Sequence, residues 1–309
     1  MRTANKIIIN ADDFGYSDVI NAAVLRSFQR FLATSTSLLV NMPGFDHAVG
    51  LVQEHSCLSG GVGVRLNFSE GYSLTSGVRD CRRFCDGQGR FVLQSGRRLL
   101  LLRRREERAV YEEMKAQLEK ALMAGIRPTH LDMHHSLHVQ WVLACLMAKL
   151  GREYGIPRMR FFRNLGPHMH GVNGIYRQWL LRLIRRYTGV TCPDLSGEVD
   201  DLLQLPAKRR PMGRTERTGG GERGESWRSS SDEVLRTLYI EIGVHPRLDE
   251  YGDLTDRSGK DLQWKLRPVI DHRHTIPYTG LPVRAGSLRL VDPLNKWTFT
   301  GEGVQAKFR

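Results

Sequence analysis

Residues 7–17 read IIINADDFGYS. Three branched apolar side chains run straight into two adjacent carboxylates, Asp12 and Asp13, and a glycine follows two residues later. An apolar run of this kind, closed by turn-forming residues, reads as a buried strand. Two neighbouring carboxylates ionise together cheaply only when a cation sits between or beside them. The strand end is therefore read as one wall of a polar site.

Outward from this strand, helical and extended patterns alternate. Val19, Ile20, Ala23, Val24, Phe28 and Phe31 recur at helical spacing. STSLLVN (35–41) and GGVGVRLN (60–67) read as strands. Val110, Met114, Leu118 and Ala121 mark a helix that stops at Gly125, ahead of Pro128. THLDMHH (129–135) reads as a strand, Val142, Leu146 and Leu150 as a helix, and MRFFR (159–163) as a further strand. Ile175, Trp179, Leu183 and Tyr187 mark another helix, and LYIEIGVHPR (238–247) a last buried strand ending at His245. Such alternation predicts an α/β fold with a parallel sheet and outer helices, either a barrel or an open doubly wound sheet. In both, chemistry gathers at the carboxyl ends of the strands.

Strand side chains alternate between faces. His130, Asp132 and His134 share one face, and Tyr239, Glu241, Gly243 and His245 share another. Arg65 and Asn67 point away from the apolar Val62, Val64 and Leu66. The apolar faces suit packing against helices. The ionisable faces are costly to bury without partners, so together they are read as a site. Its residue types fit metal-assisted amide hydrolysis. Carboxylate and imidazole suit a divalent ion; a free Asp takes a proton from water, and His245 protonates a leaving amine.

The bulk numbers limit the alternatives. The chain has 309 residues, 40% of them hydrophobic, and a net charge of +13. That is enough for a substantial core. Five irregularly spaced cysteines argue against a disulfide framework. No apolar stretch approaches a membrane span, and the N-terminus lacks the form of a signal peptide, so a cytoplasmic location is expected. Part of the charge falls in residues 207–231, rich in Gly, Ser and Arg, with Trp227 their single aromatic residue. This is read as a flexible insertion, and nucleic acid is not expected as a partner. The chain is divided into a main part at 1–206, the insertion at 207–231, a last strand region at 232–250 and a poorly patterned segment at 251–309. The assembly state is left open, a homodimer among the options.

NADDFGYS, TSLLVN, GVRLNFSEG, PTHLDMHHSLHV and EIGVHP occur in this order. Together they resemble the YdjC-like carbohydrate deacetylases, the family that includes chitooligosaccharide deacetylase. The resemblance covers about residues 5–165 and resumes near 238–247. It implies a (β/α)-barrel-like fold, an irregular or incomplete TIM-type barrel. It also implies removal of an N-acetyl group from an amino sugar or short chitooligosaccharide, with a divalent metal, magnesium or zinc. By the resemblance Asp13 is a metal ligand, Asp12 the base and His134 a second ligand. Arg160, with Asp132 and Glu241, serves substrate contact or site electrostatics.

One position departs from the family: where it carries another metal histidine, this chain has Arg65. A guanidinium has no lone pair for a metal. Three outcomes stay open. His130, His135 or His138 replaces the ligand; Arg65 itself acts as the electrophile; or the protein is a non-catalytic carbohydrate-binding relative.

Overall fold

The computed structural model describes residues 5–93, 102–160, 162–165, 171–187, 189–204, 237–270 and 275–283. The insertion expected at 207–231 lies outside the described residues, as does part of 251–309.

The opening stretch forms β1 (Lys6–Phe14), which lies within a six-stranded parallel sheet. The other strands are β2 (Ser35–Leu38), β3 (Val62–Leu66), β4 (Leu131–Met133), β5 (Leu195–Glu198) and β6 (Tyr239–Val244). Their order is β4-β3-β2-β1-β6-β5. The segment around Met159 bridges β4 through Leu131 and also bonds Thr191, while Asn164 and Leu165 bond Ser196 on β5. The two edges of the sheet thus curl toward each other, giving the incomplete barrel.

Helices cover the outside because every strand turns its apolar set outward. Ile7, Ile9 and Ala11 of β1, Val62, Val64 and Leu66 of β3, and Ile240, Ile242 and Val244 of β6 join one large core. That core includes Ala23, Val24 and Phe28 of α1 (Asp18–Gln29), Val110, Met114 and Leu118 of α4 (Arg104–Met123), and Leu143, Met147 and Leu150 of α5 (Trp141–Glu153). Burying side chains of this size stabilises by about 1.5–3 kcal/mol each. The opposite faces point inward and are polar. Ile8 is the exception; it packs at the bottom of the barrel against Tyr278 and Leu281.

Several expectations change. THLDMHH is strand only to Met133, and His134 and His135 lie in the 3-10 turn His134–Val139 that follows. MRFFR is a bridging segment rather than a strand, because it contributes isolated bonds on either side. Phe31 lies beyond α1 at φ 57° and is exposed. In α6 (Gly171–Tyr187) the buried residues include Leu180, Leu181 and Ile184, whereas Ile175 and Trp179 face solvent. Trp179 packs instead beside Trp141, with ring centroids 5.5 Å apart. The pattern also missed α2 (Phe45–Glu54), α3 (Ser76–Arg79), β5 and α7 (Val199–Gln204). It missed the antiparallel pair β7 (Arg247–Leu248) and β8 (Leu254–Thr255), and α8 (Leu262–Leu266). The cysteines lie at scattered depths, Cys57 exposed and Cys85 and Cys192 buried. Among the described residues no helix is long and apolar enough to cross a membrane.

Candidate functional site

The inward faces build the site in layers. At the bottom, His130 stacks on Tyr278 with centroids 3.8 Å apart. Burial drives the His130 imidazole down to about 3, so it is neutral near pH 7. One step up, Glu241 pairs with Arg160, its Oε1 2.9 Å from Arg160 Nε, and its other carboxylate oxygen accepts from Ser196 Oγ at 3.3 Å. Burial lifts Glu241 to about 7, outweighing the pull of Arg160. Two glycines make this layer possible. A Cβ on Gly243 would lie 2.3 Å from an Arg160 nitrogen, and one on Gly63 would lie 2.3 Å from the His130 ring. Both long side chains cross the barrel over a strand that carries no side chain at that point.

The carboxylates form the next layer. Asn10 donates to Asp12 Oδ1 at 2.7 Å, and Ser37 donates to Asp132 Oδ2 at 3.1 Å. Arg160 Nη1 donates to Asp12 and lies 3.3 Å from Asp132. Arg65 Nη1 lies 2.7 Å from Asp12 Oδ2, 3.4 Å from Asp132 Oδ2 and 3.8 Å from Asp13 Oδ1. Burial alone would raise the Asp12 carboxyl; Arg160 and Arg65 reverse this and hold it well below the usual carboxylate range. Both arginines stay charged, because the facing carboxylates outweigh the cost of burying them.

Adjacent strand residues should point to opposite faces, yet Asp12 and Asp13 share one cluster. The pairing of β1 with β2 shifts register between Ala11 and Phe14, and Asp13 adopts φ 69°. An irregularity of this kind re-aims a side chain. It turns Asp13 toward His134 Nδ1, 3.7 Å from its Oδ1, and toward Arg247 Nη2, 3.6 Å from its Oδ2.

The rim carries the remaining groups. His245 Nε2 lies 3.6 Å from Asp12 Oδ2, and burial lowers the pKa of its imidazole. His134 Nε2 lies 3.8 Å from Glu70 Oε2, and His135 Nε2 lies 3.5 Å from Glu70 Oε1. The two imidazoles stack, with centroids 4.0 Å apart. Glu70, His134 and His135 together form a group that could hold a metal ion. A cavity of about 170 Å³ opens beside His245, lined by Glu198, Gly243, Asp256, Arg257 and Lys265 among others.

The fold thus brings Asp12, Asp13, Arg65, Asp132, His134, Arg160, Glu241 and His245 together. Of the suggested replacement ligands, His135 reaches the site, His130 lies beneath it, and the His138 side chain is outside the described set. Glu70 and Tyr278 were missed. Glu70 sits in a loop with no strand pattern, and Tyr278 in a segment with no pattern at all; the SEG at 69–71, within the GVRLNFSEG motif, was the one signal for the former.

A divalent ion can be tested against these atoms. Asp13 Oδ1 and both ring nitrogens of His134 are buried and have no hydrogen-bond partner among the described residues. Buried donors left open in this way suit a metal held at His134. Position 65 does not fit: its guanidinium already neutralises the carboxylates that an ion would face.

Known proteins bear on the same arrangement. The family model described as YdjC-like protein matches residues 6–273. A carbohydrate deacetylase of Brevibacillus brevis is 39% identical over 152 residues, 49% of this chain and 58% of that protein. A carbohydrate deacetylase of Halalkalibacterium halodurans is 35% identical over 159 residues, 52% of this chain and 65% of that protein. The matched stretch is thus less than two thirds of the length of either curated relative. A solved protein of Enterococcus faecalis V583, provisionally named for cellobiose-phosphate cleavage, superposes with a TM-score of 0.57. It is 23% identical, covering 81% of this chain and 84% of its own. That likeness carries the fold.

Proposed function

From its membership of the YdjC-like family, we propose that the chain is a carbohydrate N-deacetylase that hydrolyses the N-acetyl group of an amino sugar or short chitooligosaccharide. The observation that carries the reading is the approach of the Asp12–His245 pair, 3.6 Å apart, to the open donors of His134 and Asp13 on one strand-end layer. Proton acceptors and a metal seat on one rim are what amide hydrolysis needs.

The residues divide the work. Arg160 and Arg65 fix the Asp12 carboxylate and keep it ionised, so it can accept the proton of an attacking water. The same pairing makes it a weak base. His245, kept neutral by burial, is the stronger resting place for that proton. In our scheme Asp12 takes the proton from water, passes it to His245 Nε2, and His245 delivers it to the nitrogen as the C–N bond breaks. Acetate and a free amine result. Glu241 and Asp132 hold Arg160 and Arg65 in place beneath this exchange. His134 would hold a divalent metal, zinc or magnesium, with Asp13 against its Nδ1 edge. Such an ion supplies Lewis-acid polarisation of the acetyl carbonyl. The cavity beside His245, lined by acids and a lysine, offers hydroxyl-bonding groups to a sugar ring. The protein's proposed substrate is a carbohydrate.

The test is acetate release from N-acetylglucosamine oligomers by the wild type and Asp12→Asn. An amide cannot accept the water's proton, so the rate should fall about a hundredfold to ten-thousandfold. Equal rates would remove Asp12 from the chemistry. One observation favours a second reading, a non-catalytic sugar-binding protein: Asp12 is 2% exposed and its Oδ2 lies 2.7 Å from the Arg65 guanidinium, which stands where a metal histidine was expected. Oligosaccharide binding with no acetate release would select it.

A further inference from the structure

His134 has two edges, and they face different surroundings. The Nδ1 edge looks at Asp13 Oδ1 from 3.7 Å, and that same oxygen lies 3.8 Å from the Arg65 guanidinium. A dication on this edge would stand against a buried, permanently charged cation. Like charges a few ångströms apart in a buried site repel by several kcal/mol. The Nε2 edge looks the other way, at Glu70 Oε2 from 3.8 Å, and Glu70 Oε1 lies 3.5 Å from His135 Nε2. Ligand atoms around a four-coordinate zinc, with bonds of about 2.0–2.2 Å, stand about 3.3–3.6 Å apart. The observed separations are close to that spacing with no ion present.

We infer that the metal seat is the Nε2 edge, built by Glu70, His134 and His135, and that Asp13 is a positioning residue rather than a ligand. The inference rests on the deacetylase reading above and relocates its metal. A neutral imidazole carries one proton. On Nδ1 that proton faces the Asp13 carboxylate 3.7 Å away, which leaves the Nε2 lone pair for the ion. A carboxylate behind a metal-bound histidine fixes its tautomer and orientation in this way. His134 supplies the independent sign of a ligand: it is 3% exposed, yet neither ring nitrogen has a hydrogen-bond partner among the described residues.

Glu70 is held for this role. Its backbone N–H donates to Asn67 Oδ1, and its carbonyl accepts from Asn67 and Asn41. Asn67 is in turn locked by Gln117 of α4, which accepts from the Asn67 N–H and donates to its carbonyl, both at 2.8 Å. His135 is turned beside His134 by its φ of 51°. Glu70 and His135 are both partly exposed, so an ion can enter from solvent and keep water or substrate oxygen as a further ligand. Glu70 also supplies a negative charge that the inner carboxylates, already matched to Arg65 and Arg160, no longer offer.

The experiment is calorimetric titration of the full chain with Zn²⁺, free of substrate, for wild type, Glu70→Gln, His135→Gln, His134→Gln and Asp13→Asn. Glu70→Gln and His135→Gln should each weaken Zn²⁺ at least tenfold, and His134→Gln should abolish binding. Asp13→Asn keeps an amide oxygen for the Nδ1 proton and should weaken Zn²⁺ less than either. Thermal unfolding of each metal-free variant guards against loss of the fold; a variant that does not unfold cooperatively is replaced by Glu70→Ala or His135→Asn. No binding by wild type, or loss on Asp13→Asn with Glu70→Gln and His135→Gln unchanged, overturns the inference. Acetate release is read separately. Zn²⁺ binding with the expected variant order but no acetate release sinks the deacetylase reading and keeps the seat. Acetate release that survives Glu70→Gln and His135→Gln keeps the deacetylase and sinks the seat.

Discussion

Removing the charge of Arg65 tests the electrostatic logic of the site most directly. Arg65→Met keeps most of the apolar stem and deletes the guanidinium. At an effective dielectric of about 20, contacts of 2.7, 3.4 and 3.8 Å correspond to gross attractions of about 6, 5 and 4 kcal/mol. Desolvation of the guanidinium and its repulsion from Arg160 offset much of this. Removing one partner of a buried ion pair costs about 3–5 kcal/mol net. The variant should lose that much at pH 7.5, because Asp12, Asp13 and Asp132 stay buried and Arg160 reaches only Asp12 and Asp132. Near pH 4 the loss should shrink, since the carboxylates can then take up protons instead of repelling. Urea unfolding of both proteins at pH 4, 5.5 and 7.5, in chelator, measures the difference. A variant as stable as wild type at pH 7.5 would refute the argument. A loss that is the same at all three pH values would assign it to packing of the stem instead.

Glu241 predicts a second pH effect. Its folded pKa of about 7 stands above the ordinary 4.5, so the native state holds a proton that the unfolded chain has released. Its contribution to stability is complete below pH 4.5 and is lost as pH rises through 7, by about 3 kcal/mol. Glu241→Gln should therefore gain on wild type across that interval in urea unfolding, and a constant difference would contradict the sign. Gly243→Ala should displace Arg160, destabilising by about 1–3 kcal/mol and lowering acetate release. Gly50→Ala in α2, where a new Cβ meets nothing within 4 Å, should be neutral or stabilising by up to about 1 kcal/mol; a similar loss at both would show that Arg160 is not the reason. Replacing residues 207–231 by a short Gly-Ser link should leave one cooperative thermal transition, as expected of a segment with almost no apolar side chains; a transition lost on replacement would show that it carries structure.

The architecture was legible where one face of an element had to be apolar. Val62, Val64 and Leu66, and Ile240, Ile242 and Val244, alternate so regularly that both the strands and their polar faces followed from period two. The same alternation foretold that Arg65, Asp132 and Glu241 would meet inside. It failed at strand ends, where the chemistry lies. Asp13 faces the site only through a register shift, and His135 through left-handed backbone beyond β4, and neither leaves a periodic trace; His134 kept the face that the alternation assigned to it. Short elements were hidden for a different reason. LSGE, the β5 strand, is too brief and too polar to display a period, and its pairing with β6 is what makes it a strand. Trp179 helps to mark a helix by its spacing, yet it lies on the outside of that helix against Trp141.

The charge pattern links these observations to the metal. Beneath the rim, Asp12, Asp13 and Asp132 face Arg65 and Arg160, with Arg247 closing on Asp13 from the edge. With Glu241 protonated below its raised pKa of about 7, the three aspartates against two buried guanidiniums and one peripheral arginine leave no negative excess to attract an ion. With an imidazole at position 65 the same three carboxylates would carry a net deficit of one cation, and a dication among them would be favoured. The arginine therefore does more than remove a ligand. It supplies the missing charge and closes the inner position, so any divalent ion must find its counter-charge elsewhere. Glu70 is the carboxylate that meets this need, because it faces the outward edge of His134 beside His135 and the Tyr16 phenol, whose pKa it raises. An ion bound there would stand one imidazole away from Asp13, whose Oδ1 lies 3.7 Å from the Nδ1 edge of His134.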